Sequence, residues 1–261
     1  MSDEDVLDSL KRLEQMVGAL NQRLSFVQRD VDGIKNQLIL NGESAVKLKN
    51  GIKVNVPNQL EDVIQRTIVM NKDFYELEIL KFLDQFIPHN AVILDIGANI
   101  GNHTLYWLSH KTSSFVYAFE PIAETFNLLK SNIELNEFDA RVSLFEVGLS
   151  NVVGSGAIVK FDSGNRGATV IGHEDTGDLK LVTLDSLSIE QKIDFVKIDV
   201  EGFEANVLKG GNKLLKRDKP PIFIEVFPNE YDRVSRILEV LEYQLAQKLP
   251  GDNYLWIWTG T

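Results

Sequence analysis

The stretch Val92-Ile93-Leu94-Asp95-Ile96-Gly97-Ala98-Asn99-Ile100-Gly101 decides the fold. An apolar run of strand length enters a Gly-rich turn, and helical spacing resumes over residues 104–109. Strand, glycine turn and helix in that order make the first half of a βαβ unit. Outward from it the pattern repeats. Residues 115–119 read as strand, 123–135 as helix and 141–147 as strand. Beyond an irregular stretch, 195–200 is a strand, 205–215 a helix, 222–227 a strand and 231–243 a helix. Residues 244–249 and 254–258 flank Pro250-Gly251-Asp252-Asn253 and read as a closing hairpin. Strands separated by helices need right-handed crossovers, so the prediction is an α/β fold with a mostly parallel sheet. The hairpin adds an antiparallel strand at or near one side.

In such a sheet a ligand sits at the carboxyl ends of the strands, where the strand order reverses. The turn is spaced G-x-x-x-G rather than G-x-G-x-x-G. The dinucleotide fingerprint uses its additional glycine to seat a pyrophosphate on a helix N-terminus. Asp95, pointing into the turn, would repel a phosphate and suits a cationic, amino-acid-like ligand. That chemistry favours S-adenosylmethionine (SAM) over NAD. Glu120 closes Tyr117-Ala118-Phe119-Glu120-Pro121, 25 residues after Asp95. An acid there can accept hydrogen bonds from both ribose hydroxyls, a feature that SAM and NAD sites share.

A third strand end carries Val196-Lys197-Ile198-Asp199-Val200-Glu201-Gly202-Phe203-Glu204. Asp199 and Glu201 have the same parity on an extended chain, so both can face the cleft. They suit a general base, partners for sugar hydroxyls, or ligands for a divalent cation. Glu204 reads as an acid at a helix start. Glu225 ends the apolar run 222–226, where a charge is costly unless paired or at a cleft. His103 stands in the first turn after the glycine loop. Asp199, Glu201, Glu225 and His103 are therefore the catalytic candidates. The 4 histidines show no metal-ligand spacing, and no metal site is assigned. Residues 163–169, with Arg166, read as a substrate loop inside an insert at 154–184, whose short alternating runs suggest inserted hairpins or a loop-rich lid.

Residues 1–40 differ from this body. Apolar side chains at Val6, Leu10, Leu13, Val17, Leu20, Leu24, Val27, Val31, Ile34 and Leu38 alternate in steps of 4 and 3. A narrow, unbroken heptad stripe is best buried against a copy of itself, which predicts an oligomerising coiled coil. The polar face carries seven acids and five bases, which argues against a membrane-surface helix. Leu and Val are mixed at both core positions, so the number of helices stays open. Residues 41–261 form one catalytic domain, with 44–88 (a hairpin and helices) as an N-terminal cap and 154–184 as an insert or lid.

Composition narrows the class. The chain has 261 residues, 44% hydrophobic and 25% charged, without a cysteine. Thiolate nucleophiles, disulfides and iron–sulfur clusters are excluded. A net charge of −11, from 27 basic and 38 acidic residues, opposes nucleic-acid binding. The acidic N-terminus lacks signal-peptide character and no run reaches spanning length, so a cytoplasmic protein without a transmembrane segment is expected.

Together, DIGANIGNHT, AFEP, LLKSNIELNE, VTLDSL, FVKIDVEGFEANVLKGG and IFIEV resemble, in order, the FkbM-type methyltransferases. The resemblance spans about residues 72–258 and leaves out the arm and the first hairpin. Asn102-His103 stands where the family often has an aromatic residue, and Gly148 where it often has Ala. The resemblance implies a class I, Rossmann-like fold of seven strands, the last antiparallel. It implies SAM-dependent O-methylation of a hydroxyl on a sugar, polysaccharide, glycolipid or natural product. It places Asp95, Gly97, Asn99 and Gly101 at the methionine end of SAM, with Glu120 and Pro121 at the ribose. Glu146, Val147 and Gly148 fall beside the adenine, and Asp199 and Glu201 face the acceptor. Tyr75 and Glu76 are candidates for closing over the cofactor. Two other readings stay open at this point: an NAD-dependent Rossmann oxidoreductase, and a non-catalytic scaffold with a degenerate methyltransferase domain.

Overall fold

The computed structural model describes residues 44–110, 114–160, 164, 165, 167 and 169–260, together with arm residues 13, 16–18, 20, 21, 23–27 and 31. The five strands β3 (Val92–Ile96), β4 (Phe115–Phe119), β5 (Val142–Phe145), β10 (Phe195–Ile198) and β11 (Ile222–Glu225) run parallel. The hairpin β12 (Tyr243–Lys248) and β13 (Asn253–Trp258) completes a seven-stranded sheet in the order β12-β13-β11-β10-β3-β4-β5. β13 lies antiparallel between β11 and β12, so the sheet is mixed and the reversed strand is internal. The central strands are apolar on both faces because helices cover both. Ile93 and Phe195 enter the core on one side, and Leu94, Ile96, Val196 and Ile198 the core on the other. This is the period-2 alternation of an extended chain.

β3 pairs with β4 on one side and β10 on the other. The chain winds outwards from β3 to β5, then returns to β10. The strand order reverses there, and a crevice opens above the carboxyl ends of β3 and β10.

Three additions shape that crevice. The hairpin β1 (Ala45–Lys47) and β2 (Lys53–Asn55) buries Val46 and Val54. It docks on helix α4 (Ala123–Leu135), where Asn132 Oδ1 accepts the Asn55 N–H at 2.6 Å. Helices α1 (Val63–Asn71) and α2 (Leu77–Leu83) follow; the Asp62 side chain caps α1 by accepting the Gln65 N–H. A second sheet, β6-β9-β7-β8, joins β6 (Gly148–Leu149) to β7 (Gly154–Lys160), β8 (Val170–His173) and β9 (Leu179–Val182). The insert is thus largely strands, and Arg166 lies outside the described residues.

The helix expected at 205–215 is two: α5 (Glu204–Gly210) and α6 (Asn212–Asp218). A side chain at Gly210 would put its Cβ 1.9 Å from the Ser150 carbonyl oxygen, so the backbones touch where the helices part. Helix α3 (Asn102–His110) follows the glycine turn and α7 (Tyr231–Val240) follows β11. The described arm residues are helical, and Leu13, Val17, Leu20, Leu24, Val27 and Val31 are exposed. The rest of the arm, and with it the coiled coil as a whole, lies outside the described residues. No helix among the described residues is long and apolar enough to cross a membrane.

Candidate active site

The crevice encloses about 1130 Å³, part of it open to solvent. Its floor is the turn after β3. Gly97 has φ +79°, and a Cβ there would stand 1.7 Å from the Asp199 carbonyl oxygen, so only glycine fits. The N–H groups of Gly97 and Ala98 both donate to the Phe119 carbonyl, and the Asp199 N–H donates to Ile96. The ends of β3, β4 and β10 are thereby tied together. Asn99 is left-handed at φ 50°, and its N–H donates to Glu120 Oε2 at 3.0 Å. The other oxygen, Glu120 Oε1, accepts from Ile122 at 3.0 Å. Burial lifts the Glu120 carboxyl to about 7, against the pull of those two N–H groups and of Lys197.

The opposite wall is acidic. Glu76, ahead of α2, and Glu201, after β10, are both in the left-handed region, at φ 55° and 53°. Glu201 faces the crevice because Val200–Phe203 turns sharply, with Phe203 N–H donating to Val200 O; strand parity ends at Ile198. Glu204, in the first turn of α5, accepts the Gly202 N–H at 2.8 Å and steadies this turn. Burial, then the charge of Asp199, raises Glu76, lifts Glu201 to about 7 and lifts Glu225 to about 8. His103 is buried, its Nε2 lies 4.0 Å from Glu76 Oε2, and that nitrogen has no hydrogen-bond partner among the described residues. Burial, reinforced by Lys197, lowers its pKa to about 3, so the ring is neutral.

Tyr75, Glu76, Gly97, Asn99, Glu120, Pro121, Val147 and Gly148 line the crevice, as do His103, Asp199, Glu201 and Glu225. Three expected cofactor contacts do not. Asp95 is fully buried beneath the turn: Thr104 Oγ1 donates to its Oδ2 at 2.6 Å and Lys197 Nζ lies 3.4 Å from Oδ1. Both of these contacts are to residues inside the fold. Gly101 turns the chain into α3 and faces Leu129. Glu146 is exposed past the end of β5 and is not on the wall.

Two site residues escaped the sequence reading. Asn102 clamps the backbone of Tyr75: its Oδ1 accepts the Tyr75 N–H at 2.9 Å and its Nδ2 donates to the Tyr75 carbonyl at 3.1 Å. Lys197 is the other, and the signal was present: a charge inside Phe195-Val196-Lys197-Ile198 is as anomalous as Glu225 in its own strand. From the insert, Asn165, Gly167, Thr169 and Ile171 reach the wall. Among the described residues, no group of three or more His, Cys, Asp or Glu could hold a metal ion.

Comparison with known proteins fits this geometry. The Methyltransferase FkbM domain family matches residues 95–248. The chain is 26% identical over 159 residues to "Methyltransferase sdnD" of Sordaria araneosa, covering 48% of this chain and 61% of that protein. It is 28% identical over 144 residues to "Hexuronic acid methyltransferase AglP" of Haloferax volcanii, covering 54% and 58% respectively. It thus spans about three fifths of either relative. Among solved structures, the FkbM methyltransferase of Methylobacillus flagellatus KT aligns with a TM-score of 0.49 at 17% identity, covering 78% of this chain and 63% of that one. With a turn that admits only glycine, an acid at the second strand end and a family match over more than half its length, the chain belongs to the FkbM methyltransferase family.

Proposed function

We propose that the chain is a SAM-dependent O-methyltransferase acting on a hydroxyl of a sugar, polysaccharide, glycolipid or related natural product. One observation carries this reading. A single crevice joins the Gly97–Asn99 turn and Glu120 to a wall of four carboxylates, Glu76, Asp199, Glu201 and Glu225. The residues fit SAM. The bare backbone of Gly97 allows close approach, both oxygens of Glu120 keep lone pairs for a ribose diol, and an acidic crevice suits a sulfonium cation.

SAM, when bound, supplies an electrophilic methyl group on a positively charged sulfur. The chain's own work is to hold, align and deprotonate. Gly97, Asn99 and Glu120 hold the cofactor. Asn165, Gly167 and Thr169 from the insert, with Tyr75 from the cap, narrow the mouth and exclude water. Alignment of the acceptor oxygen with the C–S bond is a large contribution of such a site. A sugar hydroxyl is a poor acid, so the group taking its proton must be basic near the working pH. Glu201 and Glu225, lifted to about 7 and 8, meet that requirement. His103, lowered to about 3, does not, and serves as a neutral hydrogen-bonding group. The name of the Haloferax relative supports a saccharide acceptor.

The heptad pattern of residues 1–40 supports self-association of the whole protein, and we place it in the cytoplasm. The test of the reading is transfer of isotope-labelled methyl from SAM to a panel of glycosides and uronic acids. The expected product carries its label through alkali, as a methyl ether does. An alkali-labile methyl ester, or no label on any hydroxyl, contradicts the reading.

A further inference from the structure

Lys197 sits in the middle of the sheet with 2% of its surface exposed. Its Nζ donates to the Gly97 carbonyl oxygen at 2.6 Å and lies 3.4 Å from both Asp95 Oδ1 and Asp199 Oδ2. The ammonium makes one hydrogen bond and two ion pairs with these three oxygens. They come from the strand under the turn, from the turn itself and from the acidic wall. Burying an ammonium is costly unless its partners compensate it, and an apolar residue of similar length would fill the space without that cost. A purely structural core has no need of this charge. What it does is connect the cofactor half of the crevice to the acceptor half.

We propose that Lys197 is a positioning residue for the transfer reaction: its ammonium fixes the Gly97 carbonyl and the Asp199 carboxylate in the arrangement that receives SAM. The proposal rests on the SAM reading above. A side chain at Gly97 would strike the Asp199 carbonyl, so the two backbones lie against each other and the one ammonium contacts both residues.

Its charge also reaches the rest of the crevice. The groups that face it are Asp95 on β3, Asp199 beyond β10, Glu76 ahead of α2, His103 on α3, Glu120 beyond β4, Glu201 in the turn and Glu225 on β11. Lys197 lowers the proton affinity of Glu76, Glu120, Glu201 and Glu225. Without it all four hold their protons to higher pH.

The experiment titrates the full chain with SAM from pH 6 to 9, as wild type, as K197M and as K197M/D95N. The double variant removes the carboxylate that K197M strands in the core, so it separates folding from positioning. Positioning predicts that K197M/D95N melts close to wild type yet binds SAM about ten- to a hundredfold more weakly. It also predicts that the acid limb of binding moves up by about one pH unit. A stable double variant with wild-type affinity and pH profile reduces Lys197 to a structural role and overturns the proposal. Wild-type protein that binds no SAM at any pH defeats the cofactor reading instead. A second readout needs no variant. The slowly exchanging Lys197 Nζ signal in 15N-lysine NMR shifts on saturation with SAM, and an unmoved signal overturns the proposal even where both variants fail to fold.

Discussion

Glu225 is the residue whose environment most constrains the chemistry. Burial and the carboxylates of Asp199, Glu76 and Glu201 lift it from 4.5 to about 8. The folded state therefore favours the protonated form. That preference is fully present below pH ~4.5, and it is lost as pH rises through ~8. E225Q removes the charge for good. It should match wild type in stability at pH 5 and exceed it at pH 9 by on the order of 1–3 kcal/mol. Thermal melts at the two values check this, and an equal difference at both contradicts the cluster's electrostatics. If Glu225 takes the proton, the same variant loses about 10²–10⁴ in transfer rate, so stability and activity move in opposite directions. At Gly97 the constraint is steric. G97A places a methyl 1.7 Å from the Asp199 carbonyl, so a marked fall in melting temperature and loss of SAM binding are expected. At this scale the sequence was readable where a residue type is anomalous for its element, as with Glu225. The burial of Asp95 was not legible, because its partners Thr104 and Lys197 are set by three-dimensional packing.

At the scale of elements, the segment entering α2 forms one lip of the crevice, and one side chain ties its backbone to α3 beside the packing of Phe74 on Tyr106. Asn102, at the start of α3, makes both hydrogen bonds to the Tyr75 backbone. N102A leaves two polar groups without partners and should cost about 1–3 kcal/mol in urea unfolding, with weaker SAM retention. Unchanged unfolding and affinity would show that the lip is held by its apolar contacts alone. The strands and most helices of the body were legible because their hydrophobic periods are clean. The break between α5 and α6 was not. Helical periodicity runs through 205–215, but the chain leaves helical geometry at Gly211 (φ −108°, ψ 12°), next to Gly210, whose backbone lies against the Ser150 carbonyl from a distant part of the chain. In the second sheet the short alternating runs left hairpins or a lid open; β7 and β8 pair antiparallel, and the parallel pairing of β6 with β9 was not legible.

At the scale of the whole molecule, the topology does the positioning. Reversal of strand order at β3 brings the ends of β3, β4, β10 and β11 to one crevice, and residues from 75 to 225 meet there. No described residue of the arm lines that crevice. The arm's exposed stripe predicts that removing residues 1–40 converts an oligomer to a monomer by light scattering, and an unchanged mass would refute the coiled coil. The central claim concerns the crevice, and calorimetric titration of the full chain at pH 8 with SAM and with NAD tests it most directly. Saturable binding of one SAM per chain, with no heat from NAD, is the predicted result. Tight NAD binding with none for SAM or its demethylated product would contradict it.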